Sequence, residues 1–495
     1  MKYISTRGQS APVTSAQAIK RGLADDGGLY LPDELPELDE ATLDSLRSAI
    51  YPERAAKILH MFLGDSYSYE ELLCDCTAAY SEERFPGGAA PIASLGDKLR
   101  VLELWHGPTA AFKDMALQIM PRLLSRALQK TGEKSTALIL VATSGDTGKA
   151  ALEGYRDVDG VKIMVFYPAG GVSRVQKLQM ATQLGSNVVV QSVKGNFDDT
   201  QNGVKRIFGD EKIRRELSER GYILSSANSI NWGRLAPQIV YYISAYCDLI
   251  NSGDIRLGEE INVCVPTGNF GNILAAYIAK RMGLPINRLI CASNKNKVLT
   301  DFFETGIYDR NRKFHMTMSP SMDILISSNL ERLLYIASGA CETAEYMRSL
   351  SDTGRYEIKP SLTAEFKRDF IGMYCGEEET SAQIKSVWER YSYLCDTHTA
   401  VGLHCAEKYI NCFDSGRKLL AVSTASAYKF ASDVYKSLRS EVLVDELNAS
   451  SLLSTYTGTS IPGPLDGIAQ RKIRFDPDAA IEADGMDGAV LAFAD

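Results

Sequence analysis

The sequence predicts a multidomain α/β protein with a largely parallel sheet, and three observations carry that expectation. At 495 residues the chain exceeds one ordinary domain, since roughly 150 residues per domain implies about two to four units. From about residue 100, short β-branched runs alternate with helical segments: STALILVAT, VKIMVFYP, NVVVQSV, INVCVPT, RLICAS and KLLAVST. That alternation is the texture of a parallel sheet. Loops rich in Gly, Ser, Thr and Asn follow the strands expected at 137–142, 261–265 and 419–422. In open α/β sheets the carboxyl ends of strands are where ligands bind.

Taken in order, residues 1–95 read as a small helical N-terminal unit. Helical periodicity runs through ATLDSLRSAIYPERAAKILHMFLG and YSYEELLCDCTAAYSEER, until FPGGAAP breaks it. After the Gly-Pro turn of HGPTAAFKD, one helix is expected over 115–128. The stretch 310–388 is less regular, with polar turns and the acidic run Glu377, Glu378, Glu379; it is expected to be a helical insertion with a solvated face. Residues 441–495 form a C-terminal extension. No repeat of 20 to 50 residues is visible, which argues against a solenoid.

An apolar fraction of 45% and a charged fraction of 23% fit a soluble globular chain. The net charge of −8 offers no basic footprint for nucleic acid or an anionic membrane. No window approaches the roughly 20 apolar residues of a membrane span. The N-terminus MKYISTRGQSAPV lacks the apolar run of a secretory signal, so a cytoplasmic protein is expected. Ten cysteines lie between Cys74 and Cys412 without a C-x-x-C pair, the pattern of buried thiols rather than of a disulfide framework. His398 and His404 fall about 240° apart on a helix, so they do not share a face and no metal site is expected. Nothing here separates a monomer from a homodimer.

Three segments carry chemistry. In INVCVPTGNFGNILAAYIAKRMG a strand, a Gly-rich turn and a helix follow one another. Gly268 and Gly271 allow close backbone approach, and the helix after Asn272 supplies free N–H groups for a phosphate. The segment lacks the Lys-Ser/Thr of a nucleotide P-loop and does not match G-x-G-x-x-G, so another phosphate is implied; a tight strand-to-helix connection would use the same residues. In ATSGDTGKAALEGY, Ser144, Gly145, Asp146, Thr147 and Gly148 lie between strand and helix and suit an anion such as a carboxylate, though Ser, Asp and Thr are also ordinary N-caps. In HGPTAAFKDMALQIMPRLL, Lys113 sits beside apolar Phe112, where desolvation lowers an amine's pKa and frees it to attack an aldehyde. A lone lysine is otherwise most often a surface charge.

HGPTAAFKD resembles the cofactor-lysine motif of threonine synthases, GNFGN their cofactor-phosphate loop, and SGDTG their loop beside the cofactor ring and substrate carboxylate. The resemblance extends to YISTRG, GLADDGGLYLP, KGNFDDTQ, NSINWGRLAPQ and DTHTAVG, and so covers most of the chain. It implies the multidomain pyridoxal-phosphate fold of the tryptophan synthase beta-like type. A large cofactor-binding domain would comprise 96–135 and 229–440, and a small mobile α/β lobe 136–228. It further implies pyridoxal 5'-phosphate as cofactor, held as an imine on Lys113, which is also the catalytic residue. Gly268, Asn269, Phe270, Gly271, Asn272, Asp146 and Thr424 would complete the cofactor site. Thr424 is the choice for a hydroxyl at the ring nitrogen, with Ser423 second; many relatives have proline where this chain has Ala427.

By the same resemblance the substrate is O-phospho-L-homoserine, bound by Ser144, Thr147, Asn228, Ser229 and Arg234, and the products are L-threonine and phosphate. Arg234 could equally be a surface residue at a helix start. A related threonine or serine dehydratase would share Lys113 and a Gly-rich loop. A silent homologue that only binds a phosphorylated ligand would have no need of the lysine.

Overall fold

Parallel strands buried on both faces read as continuous apolar runs, and such runs build two separate sheets here. The computed structural model describes residues 1–143, 145–170, 172–439 and 446–495, without the side chains of Asp198, Glu446 and Leu447. Its strands are β1 (Tyr3–Ser5), β2 (Tyr30–Pro32), β3 (Ile92–Leu95), β4 (Leu99–Glu103), β5 (Thr136–Ala142), β6 (Val161–Pro168) and β7 (Val188–Val193). They continue with β8 (Tyr222–Ser225), β9 (Ile261–Pro266), β10 (Ile286–Ser293), β11 (Ile307–Asp309), β12 (Arg355–Glu357), β13 (Phe370–Tyr374) and β14 (Leu419–Ser423). Six strands form the larger sheet in the order β13-β10-β9-β14-β4-β3, parallel except for the antiparallel edge strand β3. Every residue of β9, near the middle of that sheet, is buried. The smaller sheet, β7-β6-β5-β8, is parallel throughout. The α/β expectation is met. Among the described residues no helix is long and apolar enough to cross a membrane.

The helix Trp232–Asn251 is the axis on which the rest is assembled. Asn231 caps it, its side chain accepting from the Gly233 N–H at 2.9 Å. Nearly all its side chains are buried. Trp232 packs between the rings of Tyr3 and Phe62, each with centroids 5.6 Å away. The helices of the N-terminal segment, among them Tyr51–Leu63 and Tyr69–Ala79, thereby share one continuous apolar core with the larger sheet.

Two local expectations are corrected. The helix expected over 115–128 is two helices, Asp114–Leu117 and Met120–Lys130. Pro121 has no N–H to give the Leu117 carbonyl, and Gly154 of a neighbouring helix packs onto that carbonyl so closely that a Cβ there would overlap it. The stretch 310–388 is not purely helical, because Phe370–Tyr374 pairs in parallel with β10 and forms the edge of the larger sheet. The end of the C-terminal extension packs on the smaller sheet. Met486, Val490 and Ala494 pack with Leu138, Leu140, Met164 and Phe166 of the smaller sheet, and Ile481 bridges Val193.

Candidate active site

The lysine loop is held from both ends. The Asp114 carboxylate accepts from the Thr109 N–H and hydroxyl, both at 2.8 Å, and closes the turn before Lys113. Burial pushes the Asp114 carboxyl up to about 6 against those two hydrogen bonds. On the other side the Phe112 N–H donates to the Thr424 carbonyl at 2.8 Å, and the Ser426 N–H to the Ala110 carbonyl at 3.1 Å. Lys113 is thus pinned next to the carboxyl end of β14. Its side chain is partly exposed, with the amine 4.7 Å from the centre of the Phe112 ring. The surrounding protein pushes the amine down to about 8 by desolvation; Asp146 opposes this, and the Arg234 and Lys429 charges reinforce it.

Asp146 begins the helix Asp146–Tyr155 and is almost fully buried. One carboxylate oxygen meets the Lys429 amine at 2.8 Å and the Gln176 amide nitrogen at 2.9 Å. Burial raises its pKa, but the Lys429 and Lys113 charges overcome that and hold the carboxyl well below the usual range. The Thr143 hydroxyl organises the turn by accepting from the Gly145 and Gly148 N–H groups at 3.0 and 2.9 Å. Thr147 is partly exposed, and Ser144 lies outside the described residues.

The phosphate loop follows β9. Among the described residues no acceptor takes the backbone N–H groups of Gly268, Asn269, Phe270, Gly271 or Asn272, a row of free donors ending at the helix Gly271–Met282. Its carbonyls are occupied instead: the Ser327 hydroxyl donates to Gly268 at 2.7 Å, and the Asn329 backbone and side-chain N–H groups donate to Asn269, both at 3.1 Å. Phe270 has a positive φ of 63°, a strained conformation for a phenylalanine, and its ring is locked between Phe303 and Phe370. Gly268 has no alternative, because a Cβ would press on the Ser321 carbonyl. The Asn272 side-chain oxygen accepts from Tyr241 and Tyr242, while its amide nitrogen is buried without a partner. A buried orphan donor beside a row of free amides fits a phosphate group.

Arg234 lies in the first turn of the Trp232 helix and is only 4% exposed, so the surface alternative is removed. One terminal nitrogen donates to the Ala227 carbonyl at 2.7 Å, and its Nε is buried with no partner. Asn228 is exposed, its side-chain oxygen accepting from the Ser229 N–H at 2.6 Å, and the Ser229 carbonyl accepts from Asn329 at 3.3 Å. Of the two hydroxyl candidates, Ser423 is engaged by Trp105 and Thr399, both at 3.0 Å, whereas the Thr424 hydroxyl bonds to no described residue. Sequence reasoning passed over Lys429, Gln176 and Asn329. Lys429 stands in the run VSTASAYKF, which also holds Ser423 and Thr424, but nothing in that run signals that the amine turns inward. His398 is taken up structurally, bonding to Asp396 at 2.8 Å and accepting the Ser321 N–H at 3.1 Å.

Residues 89–424, which contain Lys113, the Gly-rich loop and Thr424, match the family described as pyridoxal-phosphate dependent enzyme. The free donors and the depressed lysine suit that cofactor. Residues 2–80 match the threonine synthase N terminus. The chain is 42% identical over 453 residues to threonine synthase-like 1 of Pongo abelii, covering 89% of this chain but 60% of that one. It is 37% identical over 488 residues to the threonine synthase of Saccharomyces cerevisiae, covering 91% and 93%. The pyridoxal-phosphate-bound threonine synthase of Brucella melitensis superposes with a TM-score of 0.88 at 36% identity, covering 100% of this chain and 99% of that one. The chain belongs to the threonine synthase family of pyridoxal-phosphate-dependent enzymes.

Proposed function

We propose that this protein converts O-phospho-L-homoserine and water into L-threonine and inorganic phosphate. The observation that carries the reading is the Lys113 amine over the Phe112 ring, accompanied by two distinct sets of donors left unpaired among the described residues, the 268–272 amides with the Asn272 side chain and the Arg234 Nε. A cofactor phosphate and a substrate phosphate require two such sets. Pyridoxal phosphate, when bound, supplies an electron sink that acidifies the hydrogens of a bonded amino acid. Lys113 would bond the aldehyde, and the loop Gly268, Asn269, Phe270, Gly271, Asn272 would hold the phosphate. Asp146 would serve the ring, and the Thr424 hydroxyl would serve the ring nitrogen. Ser144, Thr147, Asn228, Ser229 and Arg234 hold the substrate, and the lobe 136–228 closes over it. Freed by substrate, Lys113 would take the α proton, carry a β proton to the γ carbon as the C–O electron pair departs with phosphate, and return a proton to the α carbon after the oxygen of water has added at the β carbon. Ten free thiols fit a reducing compartment, and we place the protein in the cytoplasm on that ground.

The purified protein, loaded with cofactor and given O-phospho-L-homoserine, is expected to release phosphate and threonine in equal amounts. Absence of both products overturns the substrate assignment, and keto acid with ammonia in place of threonine identifies a dehydratase. For the ring contact, Thr424→Asp puts a carboxylate beside the nitrogen and is expected to protonate it and change the cofactor's absorbance spectrum. A parental spectrum in that variant removes Thr424 from the ring.

A further inference from the structure

Lys429 is a fully buried lysine that the proposed chemistry does not use. Its side chain is 0% exposed, and its amine lies 2.8 Å from Asp146 Oδ1 and 3.0 Å from the Thr109 carbonyl. It rises from the 3-10 turn Ala427–Phe430, which is pinned at both ends. The Ser426 N–H donates to Ala110, the Lys429 N–H returns to the Ser426 carbonyl at 3.0 Å, and the Phe430 ring lies 4.8 Å from that of His398. One ammonium therefore joins the turn before Lys113, the acidic residue of the SGDTG loop and the segment beyond β14. An ordinary structural ion pair would not need to stand beside a second lysine. This one does, since Lys113 and Lys429 both act on the Asp146 carboxylate.

We propose that Lys429 is a positioning residue: it takes the Asp146 carboxylate as its own ion-pair partner and thereby leaves the Lys113 amine without one. Charge must balance around the buried Asp146 carboxylate. With Lys429 and Asp146 paired, the local charge is balanced when Lys113 is neutral, and a proton on Lys113 adds an uncompensated charge near Arg234. Without Lys429, the carboxylate has only the Lys113 amine left, and balance is reached only when Lys113 keeps its proton. A protonated Lys113 cannot attack an aldehyde. The groups that face Lys113 are Asp146, Arg234, Lys429 and Asp114; Lys429 and Arg234 favour the neutral amine, and the two carboxylates oppose it. Gln176 adds a neutral donor to Asp146 and keeps the same oxygen turned to Lys429.

The inference rests on Lys113 being the reactive amine, yet its test needs neither cofactor nor substrate, so it can fail while the proposed reaction stands. The full-length protein, stripped of cofactor, is labelled with trace acetic anhydride across pH 6 to about 11, a span that brackets an ordinary lysine. Acetylation of the Lys113 peptide is then read by mass spectrometry. In the parent the midpoint is expected near about 8. Lys429→Met is expected to raise it by about one unit or more, the usual effect of an opposite charge left facing an ionisable group. Lys429→Arg is expected to restore the parental midpoint. Asp146→Asn tests the same balance from the other side and keeps the proposal falsifiable where Lys429→Met does not fold. It is expected to lower the midpoint, because Lys429 then faces Lys113 without a counter-charge. A folded Lys429→Met protein that labels with the parental midpoint overturns the proposal, as does an Asp146→Asn midpoint that is unchanged or raised.

Discussion

Lys113→Ala is expected to leave a folded protein that neither holds pyridoxal phosphate covalently nor turns over. The loss should be about 10³-fold or more, because covalent attachment and proton transfer fall on one amine. The fold should survive, since the loop is fixed by backbone contacts to Thr424 and Ala110 and by the Asp114 turn rather than by the lysine side chain. Lys113→Arg should do no better, as a guanidinium keeps its proton and cannot attack an aldehyde. The pH dependence has a definite sign. The amine is driven down to about 8, so attachment of the cofactor should speed up as pH rises through that value, where the neutral form becomes the majority. The checks are the borohydride-sensitive absorbance of the lysine-bound cofactor and the rate of phosphate release. Near-parental activity in Lys113→Ala, or attachment that slows between pH 7 and about 8.5, a range that straddles the amine's titration, would falsify the assignment.

What the sequence revealed and what it hid follow from the range of the forces involved. The strands at 137–142, 261–265 and 419–422 were legible because central parallel strands are apolar on both faces. β13 was not: FIGMY is short, contains Gly372, follows the charged stretch KRD, and is recruited only by the edge of β10. The break before Met120 was hidden because the apolar period runs through it, while the cause is one missing N–H at Pro121. The Gly-rich loop and the lysine loop announce themselves through residue types that local backbone geometry demands. Arg234 and Lys429 do not, since a basic residue is read as exposed until a long-range contact buries it. For Lys429 those contacts are Asp146 and Thr109, the latter 320 residues away in sequence, whereas the Arg234 bond to Ala227 spans only 7 residues and its burial comes from the helix it sits on.

Arg234→Ala is expected to raise KM for O-phospho-L-homoserine by on the order of a hundred-fold, since loss of one partner from a buried charge contact costs about 3 kcal/mol. The guanidinium has spare capacity: one terminal nitrogen is committed to Ala227, while Nε is buried with nothing to bond. A buried donor left in that state is unfavourable, and an anionic oxygen would relieve it. Burial also pushes the Arg234 pKa down to about 10, still far enough above neutrality for the group to stay charged. In the proposed two-site arrangement the cofactor phosphate would be served elsewhere, by the neutral amides of Gly268 to Asn272 and by Asn272 itself, which suits a group that stays through every turnover. The substrate phosphate must instead be gripped and released. Arg234→Ala should therefore weaken inhibition by free phosphate and leave the absorbance of the lysine-bound cofactor unchanged. Arg234→Lys should recover only part of the affinity, because an ammonium cannot span two phosphate oxygens as a guanidinium does. Steady-state kinetics with phosphate as inhibitor, read beside the spectrum, separate the two phosphates. If the cofactor absorbance disappears while phosphate inhibits as in the parent, Arg234 serves the cofactor and the division into two sites is wrong.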